Sequence, residues 1–587
     1  MSARSAWLAI GLLALVLVAL RWSTLDTGLH MDDLAQRAMV EGGYPVARAP
    51  WDLYTFAGGT PEETRTLASA GALPWWSDPQ LRLRSLRPLA SVLVWADARW
   101  LSPKAAHVHS LLWWLAMLAA AGWALRPVLG GRWTLVAVAL YGLDDAHVYP
   151  LAWLANRAAL ISGVFGWLTL GLFVRAANGG PARGLVLAAT SAACMAAGEY
   201  GLCGLTFTAT YALVVDERPW VRRMRALAPV LAPMAVYLVL HRLGGFGAAH
   251  SGVYLDPGSE PGAFLGAVAE RAPLLTLDML SGAPLTTLRD AVPGSLGPWV
   301  LAVLGVVAVT GVLHVLVTDP ARRRVLAWAG LSAGIAILPV CASFLSERLT
   351  VLASLGAHIA SAAFIALALE RVRDGWRRFA VPMVMSLAVI AGHGVLATRS
   401  GQEQTERLRA FNEAGANLAA QMPVDDDAAA SQRWVLLTAG DPMLLVYPPE
   451  FRAVAGHPRP ASWTVLSLAP GPATMRRVSE HALELTMADG WFRAPLEGFF
   501  RRGDRPLALH DRVSLEGLEA EVVAVDPAGV PTTVRFTFDR ALGDRSMRVL
   551  GLGARGFYRY PLAGVGATVP VPPGLDAVRA AEGLPPA

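Results

Sequence analysis

Over its first four hundred residues the chain alternates long apolar runs with short connections that carry arginine. A run of about 20 apolar residues at about 1.5 Å per residue crosses a ~30 Å hydrocarbon core as a helix. Eleven such spans are predicted: 6–21, 105–125, 133–149, 157–174, 184–199, 201–216, 226–243, 299–317, 325–345, 350–370 and 379–397. The pair 184–199 and 201–216 also reads as one long broken segment. From Ala430 the pattern changes. Residues 434–438, 520–525 and 533–538 alternate or run apolar in strand fashion, and Asp526-Pro527-Ala528-Gly529 and Gly543-Asp544 mark turns between strands. The expected fold is an α-helical polytopic membrane protein of about eleven transmembrane helices with a C-terminal β-rich extracytoplasmic domain. Its predicted domains are a membrane domain over 1–399 with outer loops 22–104 and 244–298, a helical connector and linker over 400–433, the β-rich domain over 434–570 with a short α/β start near 434–455, and a flexible tail over 571–587.

Charge placement sets the orientation, because short cytoplasmic loops are enriched in Arg and Lys. With the N-terminus inside, alternate short loops hold Arg126 and Arg132; Arg175 and Arg183; Arg218, Arg222, Arg223 and Arg225; Arg322, Arg323 and Arg324; and Arg371, Arg373, Arg377 and Arg378. The intervening short loops hold few, Arg157 and Arg348 being the exceptions. The arginine-rich loop 22–104 exceeds the roughly 60-residue length over which this rule operates. It is expected outside, as are loop 244–298 and everything after about Thr398.

Composition agrees with a membrane protein: 587 residues, 54% hydrophobic and only 16% charged, against about 25% charged in a typical soluble domain. A cleaved signal peptide is the rival reading of the first span. It is disfavoured because no small-x-small cleavage site precedes Asp32 and many spans follow. Lys104 is the one lysine among 50 basic residues, and the basic excess is spread over short loops. That spread excludes a nucleic-acid patch as the reading of the high pI. The arginine, alanine and proline bias fits a bacterial protein of the cytoplasmic membrane. Cys194, Cys203 and Cys341 lie in apolar runs without metal-ligand spacing.

The chemistry-bearing residues gather at the predicted outer ends of the spans. Asp32 and Asp33 follow the first span; Asp144, Asp145 and His147 close the third; Asn156 and Arg157 open the fourth; Glu199 lies between two spans; Glu347 and Arg348 lie between two others; His107 and His109 open the second; and Arg82, Arg84 and Arg87 precede it. Asp32 also reads plainly as the cap of a surface helix ending near Gly42, with Leu34, Ala35, Ala38 and Met39 lying on the membrane. Arginines before a span also read plainly as contacts to anionic headgroups. Ionisable residues within spans are costly and usually face a cavity.

The order of these motifs resembles the GT-C superfamily of integral-membrane glycosyltransferases, and within it the transmembrane O-mannosyltransferase-like proteins. The matching pieces are Asp32-Asp33, Leu86-Arg87-Pro88-Leu89, His107 with His109, His147-Val148-Tyr149-Pro150 with Asn156-Arg157-Ala158-Ala159-Leu160, Gly198-Glu199-Tyr200-Gly201, and Ser346-Glu347-Arg348-Leu349 followed by Ser354-Leu355-Gly356. The chain departs from that pattern where Gly198 stands in place of a lysine and Asn156 in place of a glycine, and no TPR array follows. The resemblance implies an inverting transfer of sugar from a polyprenyl-phosphate donor to a protein, glycan or lipid acceptor. Asp32 or Asp33 would be the general base. Arg87, His107, His109, His147, Asn156, Arg157, Glu199, Glu347 and Arg348 would line the substrate site. It implies no strict need for a divalent metal, although adjacent aspartates also suit Mg²⁺ or Mn²⁺. The rival classes are a transporter or flippase of lipid-linked saccharides and a non-catalytic membrane assembly protein.

Overall fold

The computed structural model describes residues 3–181, 183–292, 294, 296–371, 376–469, 471–493, 497–553 and 556–571. Among the described residues six helices are long and apolar enough to cross a membrane: Pro103–Leu129, Leu154–Ala177, Trp220–Leu243, Leu296–Leu316, Pro320–Val340 and the continuous helical run Ala380–Ala420. Helices also stand at the other predicted spans, as Ala3–Arg21, Gly131–Leu143, Gly184–Ala197, Tyr200–Val214 and Ser354–Arg371. The chain is a polytopic α-helical membrane protein with a β-sheet region towards its C-terminus. The stretch 244–298, expected as an outer loop, contains the 21-residue helix Pro261–Ser281. The predicted tail lies, beyond Val571, outside the described residues.

The chain divides into two compact units that do not follow sequence order. The first holds residues 1–28, 85–246 and 256–408; the second holds 29–84, 247–255 and 409–587. Most of the predicted first outer loop therefore counts with the β-rich unit.

The first unit is a helical bundle packed on aromatic edges and small residues. Trp167 meets Phe207 edge-on at 5.0 Å between ring centroids, and Tyr211 meets Trp328 at 5.5 Å. Lipid tails are as apolar as the side chains, so helices in a membrane associate through close packing and interhelical hydrogen bonds. Both are present. A Cβ on Gly166 would stand 3.2 Å from the Gly204 Cα, so helices Ala158–Ala177 and Tyr200–Val214 touch backbone to backbone there. Thr210 and Ser332 hydroxyls hydrogen-bond at 2.6 Å, and the Trp328 indole donates to the Phe207 carbonyl at 2.9 Å.

Among its described residues the second unit holds three sheets. Strands Thr55–Gly58, Arg82–Arg84 and Gly247–Ala249 pair antiparallel in that order. A six-stranded antiparallel sheet runs in the order Thr568–Val571, Ala473–Arg477, Ala482–Met487, Pro531–Phe538, Leu518–Val525, Arg512–Leu515. A four-stranded sheet pairs Arg433–Thr438 in parallel with both Ser462–Ser467 and Met547–Gly553, and Gly556–Arg559 closes its edge antiparallel. Helices Met443–Val446 and Pro448–Val454 make the crossover between the first parallel pair. The turn at Asp526 is built as its residues predict. Its carboxylate accepts from the Ala528 and Val530 amides, and Gly529 takes the positive φ of 81°. Trp75 and Trp76, from the first loop, enter this unit's core. The Trp75 ring lies 5.3 Å from Phe536 and 5.8 Å from Trp491, and its indole donates to the Leu466 carbonyl.

Replacing Gly166 by Leu forces the two helices apart and is expected to lower stability by about 1–3 kcal/mol, the usual size of an overpacking defect, with Gly166→Ala milder. The thermal midpoint of the purified protein in detergent reads this, and an unchanged midpoint for Gly166→Leu would contradict the close approach.

Candidate functional site

Asp32 and Asp33 lie in the second unit, at the start of helix Asp32–Glu41, which ends at Gly42 with φ 78°. His30 to Asp33 form a tight turn in which the Asp33 amide donates to the His30 carbonyl at 2.8 Å. Met31, its second residue, has φ 41° and ψ −109°. That is close to the first central position of a type II′ turn, which strongly favours glycine. A side chain held there stores backbone strain directly beside two carboxylates, and such strain concentrates at functional sites. Asp33 is buried, and its Oδ2 accepts from the His30 amide at 3.1 Å; Asp32 is half-buried. The face Leu34, Ala38, Met39 is buried within protein rather than laid on lipid. Burial first, then the nearby Asp32 charge, with lesser effects of Tyr44, Tyr254 and Asp33, pushes the Tyr447 phenol well above the ordinary tyrosine range. Tyr447 therefore stays a neutral hydroxyl beside the acids.

The remaining candidates lie in the first unit, where the structure sorts them by how their polar groups are satisfied. Arg157 is 1% exposed and held by protein: Nε donates to Ser110 Oγ at 2.8 Å, Nη2 to the Ala106 carbonyl at 2.9 Å, and Nη1 to Asp97 Oδ2. His109 joins the same network. The Trp113 indole can only donate, and it reaches His109 Nε2 at 2.9 Å, so the proton sits on Nδ1 and is donated to Asp97 Oδ1 at 2.9 Å. Asp97 thus ties helix Pro88–Trp100 to helix Pro103–Leu129 and to the turn Leu154–Arg157. His107 is buried between two carbonyls, Gly28 at 2.8 Å and Leu151 at 3.2 Å. His147 accepts from the Trp114 indole at 2.9 Å on Nδ1.

Arg87 pairs with Glu199, Nε to Oε2 at 2.8 Å. Gly198 has φ 141°, and a Cβ on it would stand 2.9 Å from Arg87 Cγ. The glycine beside Glu199 is therefore what lets the Arg87 stem lie along this turn.

Arg348 differs from Arg87 and Arg157. It is 8% exposed, yet among the described residues no carboxylate lies within ion-pair distance of it. Its guanidinium sits between two rings, 5.2 Å from Trp153 and 4.9 Å from Phe344, and Nη1 donates to Asn156 Oδ1 at 3.3 Å. Tyr200 Oη donates to the same oxygen at 3.4 Å. Glu347, its neighbour in the chain, is half-buried.

A further polar cluster lies where several of these helices begin or end. Asp144 Oδ2 and His358 Nε2 are 2.7 Å apart, and the His393 ring is 4.8 Å from that of His358. Asp145 Oδ2 accepts from Ser400 Oγ at 2.6 Å and from Gln404 Nε2 at 3.1 Å. His393 belongs to a π-helical turn, Ile390–Leu396, and such turns recur at functional sites. Asp278 accepts from Thr350 Oγ1 at 3.3 Å. The sequence reading missed Asp97, Trp153, Asp278, His358 and His393. Asp97, Asp278 and His358 each interrupt an apolar run, which is the signal that could have found them. Among the described residues no group of three or more His, Cys, Asp or Glu is arranged to hold a metal ion.

No family model matches the chain, and no curated protein does. Among solved structures it is similar to an oligosaccharyltransferase from Archaeoglobus fulgidus in the apo form, at 12% identity and a TM-score of 0.42, over 78% of this chain and 65% of that one. It is also similar to ArnT from Cupriavidus metallidurans in the apo state, at 16% identity and a TM-score of 0.37, over 78% of this chain and 86% of that one. The chain thus spans just under two thirds of the archaeal enzyme's length.

Asp97→Ala leaves the buried Arg157 charge without its carboxylate. Breaking such a pair costs about 3–5 kcal/mol, and unfolding of the purified protein is expected to show a loss of that size. A loss below about 1 kcal/mol, the range of surface ion pairs, would mean that Asp97 does not hold the network. Met31→Gly removes the strain of the turn, typically about 1–3 kcal/mol, against the extra chain entropy of glycine. The expected outcome in the same measurement is unchanged or raised stability, whereas Met31→Ala keeps the strain and gains nothing.

Proposed function

We propose that the protein is a GT-C-type glycosyltransferase that moves a sugar from a polyprenyl-phosphate donor to an acceptor hydroxyl on the extracytoplasmic side. The observation that carries this reading is Arg348. A buried guanidinium without a carboxylate is expensive, and an anionic ligand is the natural partner for it. Arginine suits phosphate because its planar fork of donors matches phosphoryl oxygens. Arg157 and Arg87, the other two arginines expected at the donor phosphate, are engaged by Asp97 and Glu199. That leaves Arg348 as the best-supported phosphate partner.

In the proposed step the acceptor oxygen attacks the anomeric carbon and the bond from that carbon to the phosphate oxygen breaks. The bond electrons leave with polyprenyl phosphate, and the hydroxyl proton passes to the carboxylate of Asp32. Asp32 is the better candidate base because it is half-buried, whereas Asp33 is buried and hydrogen-bonded into its own turn. Asp33 then positions its neighbour. The arginine pattern of the short loops supports a cytoplasmic N-terminus, and the arginine, alanine and proline bias supports a bacterial cytoplasmic membrane. The acceptor class, whether protein, glycan or lipid, follows from no residue identified in either unit.

Sugar transfer from a polyprenyl-phosphate sugar to water or an added acceptor, measured on the purified full chain in nanodiscs, tests the reading. Asp32→Asn is expected to cut turnover by about 10²–10⁴-fold, the usual contribution of a general base, with unfolding unchanged. Arg348→Ala is expected to raise the donor KM. Wild-type turnover in Asp32→Asn, Asp33→Asn and the double variant would refute catalysis by these acids. Movement of intact lipid-linked saccharide across the bilayer without sugar release would favour a flippase instead.

A further inference from the structure

Trp153 lies outside the set of residues expected at the site, and its surroundings assign it a role. It sits in an extended break, φ −126° and ψ 107°, between the short helix Val148–Ala152 and the turn Leu154–Arg157. Its ring lies against the Arg348 guanidinium. Its indole nitrogen is buried, and among the described residues no acceptor reaches it. Asn156, three residues on, shows the same condition. Its Oδ1 receives both Arg348 Nη1 and Tyr200 Oη. A guanidinium can only donate, which fixes the oxygen at that end of the amide and turns Nδ2 the other way. Nδ2 is buried there, also without an acceptor among the described residues. Asn156 is 3% exposed.

Donors therefore outnumber acceptors around one unpaired cation. A buried N–H left unmade is costly, and two beside a buried guanidinium compound the cost. Tyr200 Oη cannot relieve it, because it is not within reach of either nitrogen. A group that brings several acceptor oxygens and a negative charge satisfies the whole arrangement at once, and a phosphoryl group does so. A purely apolar ligand would leave both donors orphaned.

We propose that Trp153 is a binding residue: its indole N–H and the Asn156 amide donate to oxygens of the phosphate whose charge Arg348 neutralises. The proposal rests on the reading of Arg348 given under Proposed function. It adds a neutral donor pair, and it makes the Trp153 ring serve twice, through its face to the guanidinium and through its edge to the ligand. Trp153→Phe separates these uses, since phenylalanine keeps an aromatic face for the cation and removes only the N–H.

The test measures binding of undecaprenyl phosphate to the full chain in nanodiscs, with inorganic phosphate as competitor, for wild type, Trp153→Phe, Asn156→Ala and Arg348→Ala. Donor KM and kcat are measured on the same proteins. Trp153→Phe is expected to bind about tenfold more weakly or worse, the size of one hydrogen bond to a charged group. Its donor KM should rise with kcat and thermal midpoint near wild type, and a packing role alone would not produce that split. Asn156→Ala should weaken binding likewise but also lower the thermal midpoint, because Arg348 and Tyr200 lose their shared acceptor. Wild-type affinity in Trp153→Phe together with lost affinity in Arg348→Ala overturns the role of Trp153 and leaves the transferase reading standing. Failure of the wild type to bind or turn over the lipid overturns both. Binding of inorganic phosphate alone, with no affinity for undecaprenyl phosphate, overturns the lipid as the source of the anion.

Discussion

Arginine in an apolar interior must find negative charge or enough acceptors, and the first unit is organised around how four buried or half-buried arginines meet that demand. Arg157 takes a carboxylate, a hydroxyl and a carbonyl, and in doing so locks three helical segments. Arg21 caps the end of another helix through the Leu143 and Asp144 carbonyls. Arg87 pairs with Glu199 across a turn that only glycine permits. Arg348 alone of the four is given aromatic faces and an amide oxygen instead of charge or main-chain carbonyls. Three arginines hold the bundle, and the fourth, Arg348, is the one proposed above as the partner of a phosphate.

Apolar runs placed the helices well, because burial in lipid needs length and hydrophobicity and both are written in consecutive residues. Every predicted span coincides with a helix, the short pair Gly184–Ala197 and Tyr200–Val214 included. Strands at 433–438, 518–525 and 531–538 were equally legible from β-branched and alternating residues. The gathering of Trp75 and Trp76 with Trp491 and Phe536 was not, since nothing local tells a loop tryptophan that its partners lie four hundred residues on. Helix Pro261–Ser281 was missed because Glu270, Arg271 and Asp278 dilute its hydropathy, although its buried positions other than Asp278 are apolar.

The candidate site was legible as an inventory and not as an arrangement. Polar and charged residues at span ends picked out Asp32, Asn156, Glu199 and Arg348, but sequence spacing does not reveal that Arg157 is consumed by Asp97 or that His109 donates to the same acid. The strain at Met31 was equally hidden, because a methionine in a glycine position leaves no mark on composition or periodicity. Neutral donors such as the Trp153 indole escape any search weighted towards ionisable residues. The orientation of Asn156 emerges only once its two donors are in place.

The widened turn at Ile390–Leu396 sits inside a run of 41 helical residues. An α-helix advances its faces by a fixed angle per residue, so an unbroken rod would commit the contacts of its second half as soon as the first half was seated. The wider turn interrupts that phase. His393 can address His358 from one azimuth while Ser400 and Gln404, a turn apart, address Asp145 from another. The rod thereby carries two keyings in series, and neither dictates the angle of the other.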